Sequence, residues 1–324
     1  MVKIDTSTEP RIVKYQDKND VFVFADFWKG RDYDHHAEEI IIGKYFRKYF
    51  AKREAGSWLV DIGGSFGRLL PSYAPFFKEV AIFDYAASEF YRAVEIAEKE
   101  KMKLHLVAAN AYHLPLSDNS QSCLIAVRLI HHLEDPLWFF EEIERVLKPG
   151  GTLICQAANK NHLKTLLQAI GRLDFSIWRL DWLDIGAKGV QEDGNFALIR
   201  NYNPAYLEKS LKELNLKIVR RRSTSWLRNV KLLQRIPGSM YLFERPLQWL
   251  SFLLPLGPSN WYVIQKIDQT EREEPADSKR AATNFLSTLC LPKSRKKISP
   301  SDRPKHLKKA ERDVAFLDLR YPKN

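Results

Sequence analysis

Apolar positions along the chain change period several times, and each change marks an element. From Ala37 to Phe50, Ile40, Ile41, Tyr45, Phe46, Tyr49 and Phe50 recur at helical spacing and predict an amphipathic helix. Short apolar runs then alternate with helical patterns. Strands are expected at Trp58–Ile62, Glu79–Phe83, Leu104–Val107, Cys123–Val127 and Thr152–Gln156, with a helix over Ser88–Lys99. Asp135 followed by Pro136 reads as the N-cap and first residue of another helix, which Lys148-Pro149-Gly150-Gly151 ends. Strands separated by helices imply a parallel sheet covered on both faces, so the fold class is α/β and doubly wound.

After Asn159 the rhythm breaks. Residues 160–200 carry Phe175, Trp178, Trp182 and Phe196 and read as a helical, aromatic insertion. A helix over Pro204–Leu214, a strand over Lys217–Ser225, an apolar-aromatic stretch from Ile236 to Trp261 and a last strand, Trp261–Ile267, follow. Core packing is the favoured reading of the apolar run Pro246–Leu256. The chain divides into a flexible N-terminus (1–20), a domain (21–267), an acidic, Pro-containing linker (268–284) and a basic tail or degenerate ribbon-like module (285–324).

Composition narrows the class. With 45% hydrophobic residues, a wholly disordered chain is excluded. The net charge of +11 points towards nucleic acid or an anionic membrane until it is located. Residues 217–235 hold seven basic and no acidic side chains, and residues 291–324 hold eleven basic against four acidic. Each segment contributes +7, so the other 271 residues sum to −3. The excess therefore belongs to two patches, and RNA or an anionic membrane would meet those segments weakly. The three cysteines, Cys123, Cys155 and Cys290, are too far apart in sequence to suggest a zinc site or a disulfide framework. No metal is expected, and a reduced, cytoplasmic setting fits. The longest strongly apolar stretch, Trp249–Leu256, is too short to span a bilayer, although basic and apolar runs together suit a peripheral position at one.

The segment Val60-Asp61-Ile62-Gly63-Gly64-Ser65-Phe66-Gly67-Arg68 follows a strand and precedes a helix, the setting in which a glycine turn lets a ligand approach the backbone. A nicotinamide-type GxGxxG would need glycine where Ser65 and Arg68 stand. The second strand ends in Asp84, 23 residues after Asp61, where such folds place an acid that accepts from ribose hydroxyls.

A third stretch carries a resemblance: Asn110-Ala111-Tyr112-His113-Leu114-Pro115-Leu116, then Arg128-Leu129-Ile130-His131-His132-Leu133-Glu134-Asp135-Pro136, then Leu147-Lys148-Pro149-Gly150-Gly151. With the glycine loop and Asp84, these motifs resemble the class I S-adenosylmethionine-dependent methyltransferases of the type 11 group, strongly over about residues 25–160. The resemblance implies a mostly parallel seven-stranded, Rossmann-like sheet and S-adenosyl-L-methionine as cofactor. It gives Asp61 the role of orienting the loop, with a water-mediated reach to the methionine amino group. Gly63, Gly64, Ser65 and Gly67 would lie along the amino-acid moiety, Asp84 would bind the ribose, and Tyr85 would pack beside the adenine. Asn110 and Ala111 would meet the adenine edge, and Arg128 the methionine portion. Three departures from the family pattern stand in the sequence: Ser65 for glycine, Asn110 for Asp, and Gln121-Ser122 for Phe-Asp. Serine fits the loop if its φ stays negative.

Methyl transfer requires in-line alignment above all, and a general base only if the acceptor must lose a proton. His131 and His132 are the candidate bases, against a favoured reading in which they pack or cap. Phe27, Trp28, Tyr33, Trp178 and Trp182 are candidates for an aromatic lid over the acceptor. The reading is methyl transfer to a small-molecule or lipid-like acceptor. Its alternatives are an RNA methyltransferase using the basic patches and a non-catalytic cofactor-binding or assembly subunit.

Overall fold

A computed structural model of the chain describes residues 28–51, 53, 56–174, 176–185, 199–228, 239–268, 285–289 and 314–318. The expected alternation is present as strands β1 (Leu59–Ile62), β2 (Glu79–Asp84), β3 (Lys103–Ala108), β4 (Gln121–Ala126) and β5 (Leu147–Ala158), all parallel. All four residues of β1 are buried, the pattern of a strand covered on both faces. Helices α1 (Asp32–Tyr45), α2 (Leu70–Tyr73) and α3 (Phe90–Lys99) cover one face, where Leu59 and Ile82 join Phe46, Tyr73 and Ala93 in one core. Helices α4 (Pro136–Val146), α5 (Leu163–Arg172) and α6 (Pro204–Lys212) follow in the chain. The opposite core joins Val60, Ile62 and Phe83 to Phe139, Phe140 and Ile143 of α4 and to Leu207 and Leu211 of α6.

Beyond α5 lies a small antiparallel pair, β6 (Trp182–Asp184) and β7 (Arg200–Tyr202), in the region read as an insertion. Strand β8 (Leu216–Thr224), helix α7 (Ser239–Leu250) and strand β9 (Ser259–Lys266) complete the domain. β9 runs antiparallel to both β5 and β8, so among the described strands of this sheet β9 alone runs against the common direction.

Several boundaries differ from the sequence reading for local reasons. Helix α1 begins at Asp32 and not Ala37, with Asp32 and Asp34 in its first turn, where acids complement the helix dipole. It continues into a π-helical turn at Phe46–Phe50. Asp135 caps α4 as expected, its Oδ1 accepting the Leu137 N–H at 2.9 Å. The chain then passes directly from Val146 into β5. Lys148–Gly151 is therefore part of an irregular strand start, where pairing shifts between Gln121 and Cys123.

The tail corrects an expectation. Residues Val314–Asp318 form β10, which pairs in parallel with β3 and adds an eighth strand, giving the order β10-β3-β2-β1-β4-β5-β9-β8. Phe285 is buried against Trp58, Phe83 and His105, with ring centroids 6.1, 6.0 and 4.7 Å away, and Leu289 bridges to Leu116. Phe285 and Leu289 are buried and β10 extends the sheet's edge, so the tail 285–324 is not wholly an arm set apart from the fold. Most of 291–324 and all of the proposed N-terminal 1–20 lie outside the described residues.

Candidate functional site

Strand order reverses between β1 and β4, and the crevice at the carboxyl ends of two such strands is where open α/β sheets bind ligands. The glycine loop leaves β1 and the Arg128 segment leaves β4, so the motifs read from sequence converge there. In the loop, φ is +81° at Gly63, +45° at Ser65 and +73° at Gly67. The condition of a negative φ at Ser65 is not met: the turn has left-handed backbone at alternate residues, and serine occupies one such position. Its N–H is directed at Asp84 Oδ2, 2.9 Å away. Gly64 and Gly67 answer to packing as well as to any ligand. A Cβ on Gly64 would lie 2.8 Å from Asp61 Oδ2, and one on Gly67 would lie 2.7 Å from Leu70 Cδ1.

Asp61 is buried beneath that loop, where its Oδ2 accepts from the Tyr73 hydroxyl at 3.1 Å. Burial pushes its carboxyl up to about 7. It supports the loop through Tyr73 and lies close against Gly64. Asp84 is different. It is half-buried at the end of β2, accepts N–H bonds from Ser65 and Ala86, each at 2.9 Å, and is raised by burial to about 6. A carboxylate offers about four lone-pair sites, so acceptor capacity remains for a hydroxyl. Tyr85 and Ala111 are half-buried nearby in the chain. Asn110 uses its Oδ1 to accept the Tyr112 N–H at 2.9 Å, an Asx turn that shapes the loop after β3.

Arg128 also has φ of +59°, and its N–H is held by Gln156 Oε1 at 3.0 Å. Its guanidinium turns towards α1, with Nε and Nη2 each 2.7 Å from Glu38 Oε1. Glu38 is 1% exposed, and its second oxygen accepts from Arg68 at 2.6 Å. Burial alone would raise this carboxyl, but Arg128 and Arg68 overcome it and hold the group below its ordinary value. Trp28 stacks over both guanidiniums, 3.5 Å from Arg68 and 4.8 Å from Arg128. Sequence reading missed Glu38 and Asp34. Their one available signal was four-residue spacing, which puts both acids on one face of a helix.

His131 and His132 form a short turn after β4 with ring centroids 4.0 Å apart. Burial, then His132 and Arg128, push His131 well below its ordinary value and keep it neutral. The aromatic lid is not assembled as expected. Tyr33 is buried and donates to Glu244, and Trp182 packs on Tyr202 and Tyr206. Trp178 lies on the surface, while Phe27 lies outside the described residues.

Residues 60–155, which run from β1 to β5 and contain this crevice, match the sequence model of a methyltransferase domain. Residues 60–155 are thus a methyltransferase domain. Its relatives include the ubiquinone biosynthesis O-methyltransferase of Cereibacter sphaeroides, 27% identical over 45% of this chain and 59% of that protein. The malonyl-[acyl-carrier protein] O-methyltransferase of Hahella chejuensis is 29% identical over 34% of this chain and 40% of that protein. The match thus spans less than two thirds of either relative. Among solved structures, a S-adenosylmethionine-dependent methyltransferase from Clostridium acetobutylicum aligns with a TM-score of 0.49 at 15% identity, covering 75% of this chain and 98% of that one.

The methyltransferase domain's residues fit its cofactor, S-adenosyl-L-methionine. Asp34 Oδ1 and His131 Nδ1 are buried without a hydrogen-bond partner at the facing start of α1 and just after β4. Such unsatisfied polar atoms suit a zwitterionic amino-acid end. Asp84 supplies open acceptor capacity for ribose hydroxyls.

Proposed function

We propose that this chain transfers the methyl group of S-adenosyl-L-methionine to an oxygen atom of a small or lipid-like acceptor. The observation that carries the reading is Asp84, a carboxylate left half-open at the switch point beside a left-handed loop. When bound, the cofactor supplies a methyl group on a sulfonium, which an acceptor displaces in line.

The chain's own residues position and protect. Asp61 and Tyr73 hold the loop, while Asp84 orients the ribose hydroxyls. The Glu38–Arg128–Arg68 network fixes α1 against the crevice and limits the entry of water. His131, neutral and with Nδ1 unpartnered, is in the form that takes a proton from an acceptor hydroxyl. Oxygen is supported by the two relatives named above, both O-methyltransferases.

Calorimetric titration with S-adenosylhomocysteine tests the cofactor half of this reading. The wild type binds, and Asp84→Ala weakens binding by roughly tenfold or more, as expected for loss of a charge-assisted hydrogen bond. Equal affinity in the two proteins contradicts the assignment.

A further inference from the structure

Helix α7 is inside out. Its polar residues Glu244 and Gln248 are buried, together with Ser251 just beyond it. Glu244 accepts from Tyr33, from the Ser225 N–H at 2.7 Å and from the Trp226 N–H at 3.2 Å. Gln248 donates to the Ala37 carbonyl of α1 at 3.0 Å, and Ser251 accepts the Ser223 N–H of β8 at 2.9 Å. The apolar residues point the other way: Leu242 is 68% exposed, Trp249 60% and Leu253 62%. This corrects the expectation that Pro246–Leu256 packs into the core.

A second helix repeats the arrangement. In α5 the small residues Thr165 and Ala169 face inward, while Leu163, Leu167 and Ile170 are exposed. The two apolar faces are joined through the chain after α7. The Leu163 N–H donates to the Leu256 carbonyl at 2.9 Å, and Asn159 Nδ2 donates to the Pro255 and Gly257 carbonyls at 3.1 and 2.8 Å. Ala158 pairs with Ser259, so this surface adjoins the carboxyl ends of the parallel strands, the end that holds the cofactor crevice. Exposed apolar area of this extent marks an interaction surface.

The bordering charge identifies what the surface meets. Lys44 of α1 is pushed below its ordinary value by burial and then by Arg222, Arg220, Arg245 and Lys48, four cations near enough to oppose its charge. Arg222 lies 5.2 Å from the ring of Phe252, so the cations border the apolar stretch directly. Its Nε is buried without a hydrogen-bond partner. A two-fold contact with a second copy would bring like charges together beside the apolar faces. A surface of anionic headgroups over hydrocarbon satisfies both halves at once.

We infer that the exposed faces of α5 and α7, with the bordering Lys44–Arg220–Arg222–Arg245 cluster, dock on an anionic phospholipid bilayer and turn the mouth of the crevice towards it. The docking itself does not rest on methyl transfer. It adds to the proposed function a reason for a lipid-like acceptor.

Co-sedimentation with vesicles tests it, using phosphatidylcholine alone and phosphatidylcholine mixed with phosphatidylglycerol. The full chain is expected to pellet with the mixed vesicles and to be released by salt. Trp249→Glu/Leu253→Glu, and separately Arg220→Gln/Arg245→Gln, are each expected to lower partitioning roughly tenfold or more, as follows from losing two membrane-contacting groups. Unchanged thermal melting and unchanged S-adenosylhomocysteine binding show that these variants fold. The inference is overturned if the wild type ignores anionic vesicles, or if both variants partition like the wild type. It is also overturned if Trp249→Glu/Leu253→Glu converts a dimer to a monomer without any lipid effect, which would assign the face to a second copy. Loss of S-adenosylhomocysteine binding in the wild type would defeat the cofactor reading and leave the vesicle result standing.

Discussion

Helices α4 and α7 are built from similar residues and point opposite ways. In α4, Phe139, Phe140 and Ile143 are buried between the sheet and α6, and the N-terminus is capped by Asp135. In α7, Glu244 and Gln248 are buried and Leu242, Trp249 and Leu250 are exposed. Both are amphipathic, so period alone cannot tell them apart. What separates them is the partner. The face of α4 meets a sheet with apolar residues waiting, whereas α7 meets Tyr33, Ala37 and Ser225, which offer hydroxyl, carbonyl and N–H groups. A buried polar group is stable once it is paired, and Glu244 is paired several times over.

That contrast can be broken at either helix. The largest effect is expected in α4: Phe140→Ala leaves a cavity in a closed core and costs about 3–5 kcal/mol by urea unfolding. Trp249→Ala in α7 is expected to stay within about 0.5 kcal/mol in the absence of lipid, as at other surface positions. Equal losses at the two sites would show that α7 is packed in solution.

Next comes the pH dependence set beneath the cofactor loop. Asp61 is raised from 3.8 to about 7, so the folded protein holds this proton more tightly than the unfolded chain. The stability it contributes is complete below the unfolded value and is lost as pH rises through about 7. Thermal melts of the wild type are therefore expected to fall across that window, and Asp61→Asn to flatten the decline. An Asp61→Asn profile parallel to the wild type would remove Asp61 as the cause.

Glu244→Ala should cost about 2 kcal/mol or more, because the Ser225 and Trp226 N–H groups and the Tyr33 hydroxyl lose their acceptor in a buried place. Glu244→Gln keeps an acceptor and should cost less. Urea unfolding of the pair sharpens the claim that polar pairing holds α7 in its inverted orientation. A smaller change than at Glu244 is Ser65→Gly, expected to gain about 1 kcal/mol by relieving a left-handed serine. A loss of stability on that substitution would mean that the serine side chain makes a compensating contact.

Legibility in the sequence follows the same division. From β1 to β5, the strands, the α4 cap and the switch-point residues were readable because each carries its signal locally: an apolar run, an Asp-Pro pair, a glycine turn. The left-handed backbone of Ser65 was not readable because φ depends on the whole turn and not on its own identity. Glu38 was missed because its importance lies in Arg68 and Arg128, 30 and 90 residues away in the chain. The orientation of α7 and the placement of Phe285 and β10 were hidden for the same reason, since each depends on a distant surface that accepts the segment.

The most direct measurement of the central claim is transfer of labelled methyl from S-adenosyl-L-methionine into an extract separated into lipid, RNA and protein fractions. Wild-type protein should label the solvent-extractable lipid and small-molecule fraction, and Asp84→Ala should reduce that label roughly tenfold or more, in step with weaker cofactor binding. Label confined to RNA, or no label above that of Asp84→Ala in any fraction, would contradict it.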